Sequence, residues 1–483
     1  MNAKRWLPTA LAACLIVGIG TLLWRAPGTA PKNDGALVCL DCHRRPNIQT
    51  NEGVATANAF CGRCHASAEC QRTDGPVSVS LQVPEGAFNA SGHAHVACIH
   101  CHTDVARNPH QSAGGAQCRS CHPVHGNGPL GDPHLRVACQ ACHMASPHVA
   151  LDAQSQQVRL LPSDSQGQTV TLAEHKRADL QDPALCAKCH TTGNIAGAPA
   201  WVLPNKSALC LVCHPSPLTM GHWTLGLAGL IGLVGLGAMV AFWFRGTVAG
   251  ETDSTHRKVA AGSEAVWSVI FSRRLAAVMG ALVLDVVLQR RLFRIGLQRW
   301  MIHGLILWAF VGRLALALTT GAVFHLAPNS ALALALIDKN HWAVALINDA
   351  LGAAILIGVV WAALLRFVVK PAHVLSQEQD TISLALVGAL IFSGFFLEAA
   401  RIIVTQVPAA TAGYAFVGFG LARVLALLPV DWQQAQGVLW VAHAACWAVF
   451  VAYLPFGKLK HVFTTPLSLV MEAALAKTVN NEG

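Results

Sequence analysis

The stretch "HAHVACIHCH", His93 to His102, decides how this chain is read. Two residues separate Cys98 from Cys101, His102 follows directly, and His93, His95 and His100 crowd around them. A zinc clip, a disulfide and a haem attachment site are three readings of such a run, and the rest of the chain chooses among them. The CxxCH pattern recurs seven times, at Cys39–Cys42–His43, Cys61–Cys64–His65, Cys98–Cys101–His102, Cys118–Cys121–His122, Cys139–Cys142–His143, Cys186–Cys189–His190 and Cys210–Cys213–His214. No CxxC lacks the histidine. Zinc sites assembled from CxxC pairs do not require a histidine after each pair. In a disulfide the next residue would be arbitrary. A c-type haem requires all three groups: two thiols for the porphyrin vinyls and an adjacent imidazole beneath the iron. The sequence therefore predicts seven covalent haem c groups.

The cysteines are unevenly placed: of 17 in 483 residues, only Cys446 lies beyond residue 213. A chain that is 53% hydrophobic and only 12% charged points to a membrane. The net charge of +9 must be located before it is interpreted. Between Asn33 and Leu218 there are 12 Lys/Arg against 13 Asp/Glu, so the cysteine-rich part is neutral. The excess flanks the apolar runs, at Arg245, Arg257, Lys258, Arg273, Arg274, Arg290, Arg291, Arg294 and Arg299. That is the pattern of cytoplasmic loops, and it excludes nucleic acid as the partner the charge serves. At the N-terminus, a basic tip (Lys4, Arg5) precedes an apolar run from Leu7 to Trp24. Residues 1–32 read as an uncleaved signal anchor, with a removed signal peptide as the alternative; both export the cysteine-rich part.

Residues 33–218 read as a periplasmic heptahaem domain. So little chain per haem cannot build an ordinary apolar core, and the packed macrocycles would serve as the interior. Short helices around each motif, joined by loops, are expected. Each iron has a sixth position to fill. His93, His95, His110, His125, His134, His148 and His175 are candidate distal ligands, with His100 placed to serve only a neighbouring haem and His222 just beyond. His125 and His134 are the better placed of these, and exposed loop histidines account for one or two of the rest. Such a supply fits mostly bis-histidine haems that move electrons. Cys70 belongs to no motif.

After His214 the composition changes. Apolar runs at Trp223–Phe244, Met301–Leu326, Trp342–Val369, Thr381–Val404 and Gly437–Leu454 are each long enough to cross a hydrocarbon layer of about 30 Å. The stretch Ala265–Val287 is interrupted by Arg273, Arg274 and Asp285 and reads as a helix on the cytoplasmic surface. The fold class expected is all-α: an N-terminal anchor helix, a haem-packed domain with little regular secondary structure, and a five-helix transmembrane bundle over residues 219–483. The basic loops orient it in a bacterial inner membrane, with the cysteine-rich part in the periplasm.

Histidines inside spans are rare and usually functional. His303 and His443 lie within spans and His461 just past the last one. The segments "RWMIHGLILWAFVGR" and "WVAHAACWAVFVAYLPFGKLKHVFTTPL" resemble the gamma subunit of respiratory nitrate reductases and related di-haem b membrane subunits, over roughly Thr219 to Ala474. The resemblance implies four histidines on two helices holding two b haems, one near each membrane face. His303, His443 and His461 occupy three of those positions, and Arg313 stands at the fourth. The resemblance thus implies an inner b haem on His303 and His461. An outer one would rest on His443 with a substitute such as His325, His341 or His222, or be absent, so one or two b haems are expected.

Asp349, Glu398 and His443 share a depth of roughly 10 Å below the outer boundary of their spans, with Arg401 about one turn higher and Arg313 able to approach. Charged groups there need partners. Their readings are a structural ion-pair cluster and a quinone pocket whose carboxylate handles the proton accompanying each electron. The function expected is electron transfer between membrane quinol and a periplasmic redox partner through b and c haems. The alternatives are a terminal reductase with an open-coordination c haem, and a quinone-reducing subunit fed by a periplasmic dehydrogenase. The gamma-subunit resemblance also implies membership of a larger membrane complex.

Overall fold

A computed structural model describes residues 48–74, 77–83, 85–102, 118, 121–122, 134, 136–144, 149–152, 157–160, 182–247, 252–270, 272, 274–328, 330–371 and 377–475. The expected anchor, the first motif (Cys39, Cys42, His43) and the candidate ligands His110, His125, His148 and His175 lie outside the described residues. The described chain is mostly helical. Two antiparallel ribbons depart from the all-α expectation, Gln71–Asp74 with Val77–Ser80 and Val149–Leu151 with Val158–Leu160.

The molecule divides into two compact units, Met1–Ser67 with Gly92–Ala116, and Ala68–Ser91 with Gln117–Gly483. In the first, helix Asn51–His65 begins at Thr50, whose hydroxyl accepts from the Gly53 amide at 3.1 Å. Asn58, two turns along, ties this helix to the third motif. Its carbonyl oxygen accepts from the Cys98 amide at 2.9 Å, and its Nδ2 donates to the Val96 carbonyl at 3.2 Å. One polar side chain thereby sets two CxxCH motifs side by side.

The second unit is built on an apolar bundle. Its helices are α1 (Trp223–Trp243), α2 (Leu297–Leu326), α3 (Trp342–Ala363), α4 (Glu378–Val404), α5 (Phe416–Leu425), α6 (Trp432–Tyr453) and α7 (His461–Leu475). Among the described residues, five helices long and apolar enough to cross a membrane fall on the expected runs, as α1, α2, α3 with its continuation to Val369, α4 and α6, several of them beginning earlier than the apolar runs suggested. Helix α1 is apolar on every side. Leu227, Leu230, Leu233, Val234 and Phe242 stay exposed on it, as a helix surrounded by lipid requires.

Small residues let the spans approach closely. Gly358 of α3 lies against Ile306 of α2, Gly352 of α3 against Phe395 of α4, and Gly235 of α1 against Pro455 and Phe456. Ile355, Leu390, Phe395, Trp447 and Phe450 fill the interior between them. Helices α1 and α6 run parallel, since Gly232 meets Val451 and Gly235 meets Pro455.

Two features at the ends of the bundle position the sites. At one end, the stretch expected to form a single surface helix over Ala265–Val287 is broken into pieces. Helices Thr255–Ile270 and Arg274–Ala281 lead into a π-turn at Leu282–Val287 that packs with α7. Within the π-turn Asp285 is buried, and it is compensated by a two-pronged ion pair with Arg290 at 2.9 and 3.0 Å. At the other end, residues 193–201 clasp the first turn of α6. Gln433 accepts from the Gly193 amide at 2.9 Å and donates to the Asn194 carbonyl at 3.0 Å, and its own carbonyl accepts from the Ala200 amide at 3.1 Å. The Trp201 indole lies directly on Gly437, in space that any side chain at that position would claim.

Candidate functional site

Each fully described CxxCH motif (the second, third, fifth, sixth and seventh) forms a helical turn. The histidine amide donates to the carbonyl of the first cysteine in the third, fourth, sixth and seventh motifs, at 2.9, 2.9, 2.9 and 3.0 Å. The second motif forms the last turn of helix Asn51–His65, and the fifth is the helix Cys139–His143. Positions i, i+3 and i+4 share one helix face, so each turn presents both thiols and the imidazole together. The cysteines are not in disulfides among the described residues.

The motifs also approach one another. The Cys98 thiol is pushed up to about 11 by burial and by the neighbouring Cys61. Burial likewise raises Cys142 and Cys189, with Cys186 adding to both. The second motif thus adjoins the third, and the fifth adjoins the sixth.

Three pairs of histidine rings face each other at nearly the same separation: His134 and His190 at 6.2 Å, His214 and His443 at 6.0 Å, and His303 and His461 at 5.9 Å between centroids. A metal held between two imidazoles, with bonds of about 2 Å and about 1 Å from nitrogen to ring centre, needs roughly 6 Å. The second nitrogen of the ring is anchored in each pair. His190 Nδ1 faces the Pro199 carbonyl at 3.0 Å, His443 Nδ1 faces Ser393 Oγ at 2.9 Å, His303 Nδ1 faces Gln289 Oε1 at 3.0 Å, and His461 Nδ1 faces the Lys458 carbonyl at 2.8 Å. Anchoring Nδ1 fixes the ring plane and leaves Nε2 as the ligating atom, the arrangement metal-bound histidines adopt. Gln289 is itself buried, in the left-handed backbone region at φ 53°. Burial, reinforced by Lys206, His443, Lys339 and Arg313, holds the His214 imidazole well below the ordinary histidine value, hence neutral, as a ligand must be. The residues present fit an iron porphyrin with two axial imidazoles.

Of the sequence-read distal ligands, His134 pairs with a motif histidine, while His93 and His95 lie in the turn before the third motif. The His303 and His461 rings stand 5.9 Å apart. His443 meets His214 of the seventh motif, in place of the expected His325, His341 or His222. His222 instead faces Thr224 Oγ1 at 2.9 Å, and His341 packs on Trp342. One sequence feature could have pointed to His214: only eight residues separate it from the start of α1.

The charged residues divide into two groups. Asp349, 1% exposed, accepts from the amides of Val417 and Gly418 at 2.7 and 3.2 Å, so its carboxylate caps the first turn of α5. Glu398 stands beside it, packed on Gly418, with Arg401 at 3.6 Å. Arg401 also donates to Asn340 Oδ1 at 2.8 Å. Arg313 belongs elsewhere. It donates to the Asn348 carbonyl at 2.8 Å and lies in the electrostatic neighbourhood of Cys213 and His214, and its Nε is buried without a hydrogen-bond partner.

No protein family's sequence profile matches the chain, and no solved structure does. A curated protein of Syntrophomonas wolfei subsp. wolfei, named EtfAB:quinone oxidoreductase, is 29% identical to it over 195 residues, or 37% of this chain and 26% of that protein. The chain therefore spans about a quarter of that relative's length.

Proposed function

We propose that the protein carries electrons between the membrane quinone pool and a redox partner in the periplasm, using seven covalent c haems and a b haem seated between His303 and His461. The observation that carries this reading is that pair: two imidazoles from α2 and α7, 5.9 Å apart, each with Nδ1 engaged and Nε2 free. The name of the Syntrophomonas wolfei relative, a quinone oxidoreductase, agrees with quinone as the membrane substrate. Iron porphyrins in these seats supply one-electron redox chemistry, which divides two-electron quinol oxidation into single steps.

The chain's own contribution on the membrane side is proton handling and orientation. Asp349 is 1% exposed and caps α5 through Oδ2, so Glu398, the more accessible of the two, is the carboxylate placed to take a quinol hydroxyl proton. Its hold on Arg401 is loose at 3.6 Å, and its side chain is 21% exposed. Arg401, fixed by Asn340, keeps Glu398 in place. The direction of electron flow depends on the potential of the periplasmic partner. On this reading the basic segment carrying Arg290 and Arg291 faces the cytoplasm.

The test is to purify the protein from membranes, quantify its haem as the pyridine haemochrome, and add a short-chain quinol. Both c and b haem, with c in large excess and reduced by the quinol, are expected. Colourless protein, or zinc in place of iron, would overturn the proposal.

A further inference from the structure

We infer that the seventh haem c is a membrane-bundle cofactor: attached to Cys210 and Cys213, it takes His214 from its own motif and His443 from α6 as its two axial ligands, and so fills the outer seat in place of a second b haem. The inference deepens the electron-transfer reading and rests on it. Four observations carry it.

The first is the pairing itself. His214 and His443 rings stand 6.0 Å apart, and Ser393 on α4 engages His443 Nδ1, so the Nε2 atom of a span histidine is left for the iron. The second is where the seventh motif lies. Leu209 and Cys210 pack against the bundle's apolar core. An attachment site for a haem of the soluble half would have no cause to be sunk there. The third is rigid placement. The clasp of residues 193–201 on the start of α6, with Gln433 bonded on both sides and Trp201 on Gly437, fixes the segment before the motif to the helix that carries His443.

The fourth is Arg313. A seat made by two bundle helices needs a histidine from each, but here the motif brings its own imidazole. The position ten residues after His303 is thereby released, and Arg313 occupies it. Its buried, unpartnered Nε and its place near Cys213 and His214 suit a haem propionate. Ten residues along α2 also set this seat about 15 Å from the His303 level. Because Gly232 meets Val451 on parallel helices, the first turn of α1 stands at about the level of His443, so the seat lies at the entrance of the spans.

The attachment is a balanced addition. Each cysteine S–H adds across one porphyrin vinyl C=C, sulfur to one carbon and hydrogen to the other, with no net redox change and nothing released. Haem held this way survives extraction with acidified acetone, whereas b haem does not. Wild-type protein should give c and b haem in a ratio of 7:1. A ratio of 7:2 would overturn the inference while leaving the electron-transfer reading intact, and absence of haem would overturn both.

The variant H443A separates the ligand role from stability. One covalent haem should become high-spin and bind CO when ferrous, with the c and b content unchanged. Loss of an acetone-extractable haem, with every c haem still low-spin, would instead show that His443 holds a b haem. Should H443A fail to accumulate, H443M keeps a ligand of similar size, and a shift of one covalent haem to a His/Met spectrum is the supporting outcome. An unchanged spectrum would refute the assignment.

Discussion

The cysteine-rich part and the membrane bundle hold themselves together by different means. In the bundle, apolar side chains from five long helices bury one another, and small residues let the helices close up: Gly358 under Ile306, Gly352 under Phe395. Around the cysteine motifs, the described residues form one longer helix, Asn51–His65, several single turns and two short ribbons, tied by bonds such as those of Asn58. Among the described residues, the second unit's apolar cluster there is Ala141, Val149, Val158 and Ala196, with Val137, Leu151 and Cys189 packed on it. A polypeptide with so little apolar area of its own does not offset the entropy of ordering its chain. On the proposed reading, one half would be a scaffold that receives a cofactor, and the other a wrapping that the cofactor completes.

That contrast yields its largest expected effect when haem attachment is blocked. Expressed in a host without cytochrome c maturation, the chain should keep the helical signal of α1 to α6 while residues 48–160 become fully protease-sensitive. Limited proteolysis coupled to mass spectrometry reads the boundary. A cysteine-rich half that resists protease without haem would break the comparison.

Next in size is His303→Ala. It removes one of the two proposed ligands of a seat within the bundle, so complete loss of the acetone-extractable haem is expected, with covalent haem and secondary structure unchanged. If that haem remained, the seat would have to lie elsewhere. Glu398→Gln should act on protons alone. It keeps the shape of the side chain but cannot accept a proton, and a fall of roughly 10²-fold in quinol-driven haem reduction is expected. The spectra and the rate with a one-electron chemical reductant should not change. Equal rates for variant and parent would assign Glu398 to the ion-pair network with Arg401 and nothing more. Gln289→Ala is milder. Removing the group that faces His303 Nδ1 should weaken haem b retention by about 10-fold, read as its loss during dialysis against apomyoglobin.

The range of the forces involved decides how much of this is legible in the sequence. The five spans are legible because a run of about 20 apolar residues is a local property. Their ends are less so: α6 starts at Trp432, because Asp431 accepts from the Gln433 and Gln434 amides at 3.0 and 3.2 Å and caps a turn outside the apolar run. His134 is legible as a distal candidate by its nearness to a motif, although it pairs with His190 of the sixth motif, which no spacing rule indicates. Helical rise brings out the shared depth of Asp349 and Glu398, but not the capping of α5 by Asp349, since α5 begins 67 residues further along. His214 with His443 is the least accessible, because it depends on residues 193–201 folding onto α6, more than 200 residues away.

That clasp supplies the smallest and most diagnostic perturbation. Trp201 is 43% exposed, so Trp201→Ala should cost less than the 3–5 kcal/mol of a fully buried tryptophan, about 1–2 kcal/mol. The change removes the indole's contact on Gly437 and leaves the core of the bundle intact, so the spans and the cysteine turns should each keep their own stability. The loss should appear where the seventh motif meets α6. On warming, the His214–His443 ring pair should separate first, several degrees below the parent, while the His303–His461 pair, built within the bundle, holds to the same temperature. Variable-temperature magnetic circular dichroism of the low-spin signals distinguishes the two outcomes. Simultaneous loss of both signals would mean that the two seats form one cooperative unit, and that scaffold and wrapping are not separable at the membrane entrance.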